Sequence, residues 1–274
     1  MDISEFVKTG CLTEALALLH ATVKQQPVNF SARRALFDLN CVLGRFDKAV
    51  DQLNSLVSLD ASHESYAVQN RALIGCEKQR VEVFSGRQVP LLFGEPPTWA
   101  GAWCEAHRLA AVGYFEAASQ LRIQALDVVE MNPGKINNSA FADISDSDSR
   151  LGPVLEMIVD GKYFWVPWGR IKSIETQPPS QLVDLVWLPG KVIWINGGEA
   201  LAYLPIRYPG TELSEDNQLR LARRTEWEEK PSATYLGKGQ KLFFTDESEV
   251  SILECRRLEF DASIVEPSLK KETT

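Results

Sequence analysis

One pattern occurs twice in the first half of the chain, as GCLTEA at residues 10–15 and as GRFDKA at residues 44–49. The two copies lie 44 − 10 = 34 residues apart, and this spacing is the period of tetratricopeptide helical hairpins. In such a hairpin, glycine permits the left-handed turn that ends the first helix, and alanine lets the second helix pack closely. The pattern therefore predicts stacked pairs of antiparallel helices.

A third copy, GYFEAA at residues 113–118, lies 113 − 44 = 69 residues further on, which is close to two periods. The copy expected between them, near residue 78, is missing, because residues 76–80 read CEKQR. The sequence thus predicts a degenerate repeat. An ordinary helical bundle whose glycine turns coincide with this spacing stays an alternative.

Stacked helical hairpins form a curved surface whose inner side can hold a peptide or a helix. The register predicts that the first helices present Arg34 and Asp38 in the second unit, and Trp103 and His107 in the third recognisable unit. An exposed tryptophan beside charged residues is typical of a binding surface, so these four are the predicted partner-binding residues. The alternative is that Trp99 and Trp103, one helical turn apart, pack inward as core.

The second half of the chain has the pattern of β-structure. Asp160-Gly161 separates two apolar runs, LEMIV at residues 155–159 and YFWV at residues 163–166, and Asp-Gly between such runs is a strong hairpin signal. The run LFFT at residues 242–245 is a further predicted strand.

These patterns divide the chain and indicate an α+β fold class. We predict a tetratricopeptide-like helical domain at residues 1–131 and a β-rich domain at residues 141–274. Residues 132–140 between them are polar and turn-rich, which is typical of a linker.

The composition excludes several kinds of partner. The 274 residues include 29 Lys and Arg against 37 Asp and Glu, a formal net charge of −8. Nucleic acids and anionic membrane surfaces attract basic proteins, so we expect neither as a partner. No apolar run approaches the ~20 residues of a membrane span, and the first residues, MDISE, do not resemble a signal peptide. The five dispersed cysteines form no C-x-x-C pair, so the expected location is the cytoplasm, without a disulfide framework or zinc site.

The densest polar cluster is DISDSDSRLGPVLE at residues 143–156, in which Asp146, Asp148 and Glu156 invite a metal hypothesis. The calcium-loop template fails, because its glycine and glutamate positions are occupied by Leu151 and Met157. Three interpretations stay open: a structural role in turns, partner binding, and carboxylate- or metal-dependent hydrolase or transferase chemistry. No motif of a known nucleophile, phosphate loop or zinc protease accompanies the cluster.

A series of motifs resembles one known family. They are RALFDL at 34–39, GRFDKA at 44–49, DSDSRLGPVLE at 146–156, YFWVP at 163–167, DLVW at 184–187, PIRYPG at 205–210, RRTEW at 223–227 and GKGQ at 237–240. Together they are similar to the ImpE/TagJ (SciE-type) accessory proteins of bacterial type VI secretion systems, over nearly the whole chain.

The resemblance implies a cytoplasmic accessory protein that is not an enzyme and carries no metal or other cofactor. It also implies two partners: the N-terminal helix of the small, TssB-like subunit of the contractile sheath, and the ClpV-type AAA+ ATPase that disassembles the spent sheath. It assigns no role to the motif residues Asp146, Asp148, Arg150, Glu156, Arg207 and Tyr208.

Overall fold

A computed structural model of the protein describes residues 3–261, and its first half consists of helices joined by short turns. The helices are α1 Ile3–Thr9, α2 Leu12–Gln25, α3 Phe30–Val42, α4 Phe46–Leu59, α5 Glu64–Phe84, α6 Ala100–Ala111 and α7 Phe115–Leu126. None of the helices within this range combines the length and apolar character that a bilayer crossing requires.

The glycine of each repeat copy lies in the turn that was predicted from its spacing. Gly10, Gly44 and Gly113 have φ values of +80°, +68° and +91°, a region that glycine enters without the steric penalty of a Cβ atom. The alanine of each copy is buried in the second helix of its pair. The missing copy also has a structural reason, since α5 runs unbroken through residue 78 and has no turn there.

The second half consists mainly of strands. They are β1 Gly134–Ile136, β2 Ser139–Phe141, β3 Ile144–Asp146, β4 Val154–Val159, β5 Lys162–Pro167, β6 Ile171–Thr176, β7 Trp187–Trp194, β8 Glu199–Pro205, β9 Thr225–Lys230, β10 Thr234–Gly239, β11 Leu242–Thr245, β12 Glu249–Ser251 and β13 Arg257–Phe260. A short helix, α8, spans Asn217–Arg220. Helices followed by antiparallel strands confirm the predicted α+β class.

The strands pair in three antiparallel groups. The largest sheet has the order β2-β1-β13-β6-β7-β8-β4-β5, while β12-β11-β3 and β10-β9 form smaller sheets. Asp160 and Gly161, both with positive φ, form the predicted turn between β4 and β5. One apolar cluster contains residues of the largest sheet together with Phe243 of β11 and Ile144 of β3, so these two sheets pack on each other.

The segment predicted as a linker, residues 132–140, is instead part of the largest sheet. Here β1 and β2 pair as a hairpin, and Asn137 and Asn138 between them have φ values of 48° and 76°. Two consecutive residues with positive φ make the turn that a tight hairpin favours. The polar, turn-rich composition therefore reflects a hairpin turn, and the expectation of a linker is wrong.

The helical and β halves share a second apolar core. Its buried members include Leu36 and Trp99 from the helices, and Trp165 and Trp187 from the sheet. The helix α3, the first member of its pair, and the unpaired helix α5 both contact the β half. The β half thus covers part of the side of the helices on which a partner groove was expected.

Candidate functional site

Two of the predicted partner-binding residues, Trp103 and His107 on α6, are each only 3% exposed. The Trp103 indole N–H donates to the backbone oxygen of Arg150 at 3.1 Å. The His107 ring lies edge-on to Phe84 and Trp165, and burial lowers the pKa of His107 to about 4. The expectation that this pair lines an exposed groove is wrong, because the β half packs on α6. The alternative interpretation of Trp103 as core is confirmed.

The other two predicted residues, Arg34 and Asp38, lie on α3 at the opposite end of the helical half. Arg34 is exposed, and its guanidinium lies 4.5 Å from the centre of the Tyr66 ring and 3.3 Å from His63 Nδ1. Asp38 is 7% exposed and lines a groove beside α3. This end of α3 therefore remains accessible, whereas α6 does not.

We call this feature the α1–α3 groove. It is open to solvent, encloses about 810 Å³ and is mostly apolar. Its lining consists of Ile3, Ser4, Val7, Lys8, Leu19, Thr22, Asn29, Ser31, Ala32, Ala35, Asp38, Leu39, Pro179, Ser180, Gln181, Leu182 and Leu185. The last five belong to the β half, so the groove is built by both halves.

The β side of the groove is fixed by the carboxylate of Asp184. Its Oδ2 accepts hydrogen bonds from the backbone N–H of Ser180 at 2.8 Å and of Gln181 at 2.9 Å, and from the Ser180 hydroxyl at 3.1 Å. A carboxylate that accepts several backbone N–H groups holds a turn in one conformation. This explains why the chain enters the DLVW motif through a single turn of 3₁₀ helix at Leu182–Leu185, which packs on α3.

Asp38 is electrostatically unusual within the groove. Burial raises the pKa of Asp38 to about 7, and the nearby Asp184 carboxylate adds to this rise. Arg34 and the backbone N–H of Val183 act in the opposite direction without cancelling it. Among residues 3–261, the Oδ1 atom of Asp38 has no hydrogen-bond partner, although buried acceptors nearly always have one.

The family-motif residues lie elsewhere, in what we call the buried charge cluster between the two halves. It contains four acids and four bases: Glu77, Asp146, Asp148 and Glu156 with Arg80, Arg150, Arg207 and Lys241. Arg150 is 14% exposed at its side chain and the others are buried. The motifs quoted from distant parts of the sequence therefore meet in one place.

Glu156 on β4 is the centre of this cluster. Its Oε1 accepts from Arg80 Nε and from the Tyr163 hydroxyl, both at 2.5 Å, and its Oε2 accepts from Arg80 Nη2 at 3.0 Å and from Lys241 Nζ. Burial by itself would raise the pKa of Glu156, but Arg80 and Lys241 outweigh it and hold the pKa well below its usual range. Because Arg80 lies on α5 and Glu156 on β4, their hydrogen bonds join α5 to the sheet by charge. Arg80 also donates to Glu77 Oε1 of its own helix at 2.9 Å.

The two aspartates of the motif accept hydrogen bonds from groups close by, although Asp146 Oδ2 has no hydrogen-bond partner among residues 3–261. Asp148 accepts from Arg150 Nε at 2.8 Å and Nη2 at 2.6 Å, and from the backbone N–H of Gly237 at 2.7 Å. Asp146 Oδ1 accepts from the Tyr208 hydroxyl at 3.0 Å. Since these carboxylates bind cationic side chains and backbone N–H groups, the arrangement favours the structural interpretation of the motif. In the part of the chain that the structure describes, no three His, Cys, Asp or Glu side chains are grouped as metal ligands.

Arg207 joins the sheet to the end of a helix. Its Nη1 donates to the backbone oxygen of Val42, the last residue of α3, and to that of Arg220, both at 2.8 Å. A cation at the carboxyl end of a helix also interacts favourably with the helix dipole. The same α3 helix carries Asp38, so the groove and the buried charge cluster are connected through one rigid element.

Sequence reasoning missed Glu77, Arg80 and Lys241, and it missed the contribution of residues 179–185 to the groove. Glu77 and Arg80 lie within CEKQR at residues 76–80, where the repeat motif is absent. Their spacing of three residues on a helix was an available signal for a pair on one face. For Lys241 no local pattern distinguishes a fully buried lysine from an exposed one.

The chain is similar to known proteins over most of its length. The family model described as ImpE protein matches residues 138–259. The type VI secretion system accessory component TagJ from Pseudomonas aeruginosa is 41% identical over 261 residues, which cover 95% of this chain and 92% of that protein. The crystal structure of protein VPA1032 from Vibrio parahaemolyticus has a TM-score of 0.85 and 26% identity, covering 96% of this chain and 98% of that chain. Both relatives therefore match the helical half as well as the strands.

Proposed function

The chain belongs to the ImpE family, and on this premise we propose that it is an accessory component of a bacterial type VI secretion system that holds a helix of another component in the α1–α3 groove. The name of the P. aeruginosa relative supports the accessory role. The groove assignment rests on one observation: an open and mostly apolar channel lies between the first helices and residues 179–185 of the β half. Grooves of this kind bind the apolar face of amphipathic helices.

The proposed occupant is the N-terminal helix of the small, TssB-like sheath subunit. The helix α3 lines the groove with Ser31, Ala32, Ala35 and Leu39. Ser31 and Ala32 precede Ala35 by four and three residues and Leu39 follows it by four, so all of them share a face with Ala35. Three of them are small, which allows a second helix to lie close to α3. Of the four residues predicted to bind a partner, Arg34 and Asp38 therefore belong to the proposed binding region, and Trp103 and His107 do not.

The second proposed partner is the ClpV-type AAA+ ATPase, which this protein would link to the sheath in the bacterial cytoplasm. The family resemblance supports this link. A helix in the α1–α3 groove would leave the β9–β10 hairpin open for a second contact, since residues 226–229 of β9 are exposed. We propose a binding role without catalysis, because the motif carboxylates already pair with arginine and lysine side chains.

The test is a binding titration with a blocked groove. A fluorescently labelled peptide with the N-terminal sequence of the small sheath subunit from the same bacterium is titrated with wild-type protein, Ala35→Trp and Ala117→Trp. Ala35 lines the groove, whereas Ala117 is an exposed alanine of α7. We expect Ala35→Trp to lose most of the affinity and Ala117→Trp to keep it, with unchanged circular dichroism in both. Equal binding by the two variants would refute the groove assignment, and no binding by wild-type protein would refute the proposed partner.

A further inference from the structure

We propose that the α1–α3 groove selects a helix that places one cationic side chain, lysine or arginine, on the carboxylate of Asp38. This inference rests on the proposed function and adds to it the chemistry by which the partner is recognised. An apolar stripe alone would bind many amphipathic helices, so a charge at a fixed point supplies the selectivity.

The first observation is the unused acceptor of Asp38. The side chain is 7% exposed, lines the groove, and has an Oδ1 atom without a hydrogen-bond partner among residues 3–261. Leaving a buried acceptor unpaired costs free energy. A bound cation that donates a hydrogen bond to Oδ1 would remove this cost, and charge-assisted hydrogen bonds are stronger than neutral ones.

The second observation is the balance of charge around Asp38. The nearby carboxylate of Asp184 raises the pKa of Asp38, and the guanidinium of Arg34 lowers it. The guanidinium of Arg34 contacts His63 and the Tyr66 ring instead of forming an ion pair with Asp38. Lys8 lies at the groove rim and is exposed. Asp38 thus has an acidic neighbour and no ion-pair partner, and a basic side chain of the bound helix would stabilise its charged form.

The third observation is the position of Asp38 relative to the apolar lining. It follows Ala35 by three residues and precedes Leu39, so its carboxylate interrupts the apolar face of α3 about one turn from the small residues. A lysine or arginine has an apolar stem long enough to cover this lining while its charged head reaches the carboxylate. The expected partner sequence therefore has one basic residue within its apolar stripe.

The experiment uses the same labelled sheath-subunit peptide and replaces each of its lysines and arginines, one at a time, by methionine. We expect one replacement to weaken binding to wild-type protein roughly 10- to 100-fold, the range for a charge-assisted hydrogen bond. Asp38→Asn should weaken the unmodified peptide by a similar factor. The two changes together should be no worse than either alone, because they remove the same interaction. Asp51→Asn, an exposed acid on α4, is the matched control and should bind normally.

The outcomes separate this inference from the proposed function. If the unmodified peptide does not bind wild-type protein, the proposed partner is wrong. If it binds, but Asp38→Asn and every peptide replacement stay within about twofold of wild type, the cation inference alone is overturned. Additive losses in the combined experiment would also overturn it, because the two groups would then act independently. The peptide replacements leave the protein unchanged, so this result does not depend on how Asp38→Asn folds.

Discussion

Replacing Arg80 by methionine should destabilise the whole protein, because Arg80 joins the helices to the sheet. Its guanidinium donates four hydrogen bonds to buried acceptors: two to Glu156, one to Glu77 and one to the backbone oxygen of Arg207. Methionine fills much of the same space but donates none of them. The carboxylates of Glu77 and Glu156 would remain buried with fewer partners.

The loss in the free energy of unfolding depends on how well the remaining groups still pair with Glu77 and Glu156. Removing one partner of a buried ion pair costs about 3–5 kcal/mol. Glu156 keeps Lys241 and Tyr163, and Glu77 keeps the indole N–H of Trp187 at 3.0 Å, so we do not expect a larger loss. Whole domains are stable by about 5–15 kcal/mol, and this one substitution therefore removes a large share of the total.

The assay is equilibrium unfolding in urea, followed by tryptophan fluorescence and by far-ultraviolet circular dichroism. With a slope of about 3 kcal/mol per molar urea, a loss of 3–5 kcal/mol lowers the midpoint by roughly 1–1.7 M. Arg87→Met is the matched control. Arg87 makes two hydrogen bonds of 2.7 Å to Glu82, but both side chains are about half exposed, and exposed ion pairs contribute little to stability.

A single result would refute this reasoning. If Arg80→Met and Arg87→Met shift the midpoint equally, burial of the cluster does not determine its contribution. If instead fluorescence and circular dichroism of Arg80→Met give separate transitions, while those of wild type coincide, the substitution has uncoupled the two halves, as expected for a residue that joins them.

Three further predictions concern other parts of the molecule. Asp38→Asn should stabilise the free protein increasingly as the pH rises from about 4 to about 7 and by a constant amount above. The reason is that the pKa of Asp38 in the folded protein, about 7, lies above the usual 3.8. The wild type therefore loses stability across this pH window, on the order of 4 kcal/mol in all. Thermal unfolding at pH 4, 5.5 and 8 measures the difference in stability between variant and wild type, and a difference that is the same at all three pH values would contradict this prediction. A fragment of residues 1–131 should fail to unfold cooperatively in the same urea assay, since its core is completed by the sheet, and a sigmoidal transition would disprove the shared core. Gly239→Ala should lower the melting temperature far more than Gly197→Ala. Both glycines have positive φ, but a Cβ atom at Gly239 would lie 2.1 Å from the backbone oxygen of Arg224, whereas Gly197 faces open space. Equal melting temperatures of the two variants would argue against this close approach.

The sequence predicted features whose signal is local. The 34-residue spacing predicted the helical hairpins because a glycine turn and a buried alanine recur at fixed distances along the chain. Asp160-Gly161 predicted its hairpin because the turn type demands those residues. The prediction of a linker at residues 132–140 failed for a related reason, since polar turn residues occur in linkers and in tight hairpins alike.

The contacts between the halves could not be predicted in the same way. Arg80 and Glu156 are 76 residues apart in the chain, and no periodic pattern connects them. Trp103 has the same helical spacing whether it faces a partner or the sheet, so its burial depended on where the β half packs. Asp38 was identified as a candidate, but its unpaired oxygen and its acidic neighbour Asp184 become visible only when the segment at residues 179–185 lies against α3.

The bond between Arg207 and the end of α3 has a mechanical consequence. A motor that pulls on a helix seated beside Asp38 would apply tension to α3, whose last carbonyl is tied to Arg207 and through it to Arg220. Because Arg207 lies two residues after the end of β8 at Pro205, part of the force would pass along the chain to the sheet instead of peeling the first helices away. The helices and the sheet would then resist the force together, and Arg207 would transmit it from α3 to the sheet.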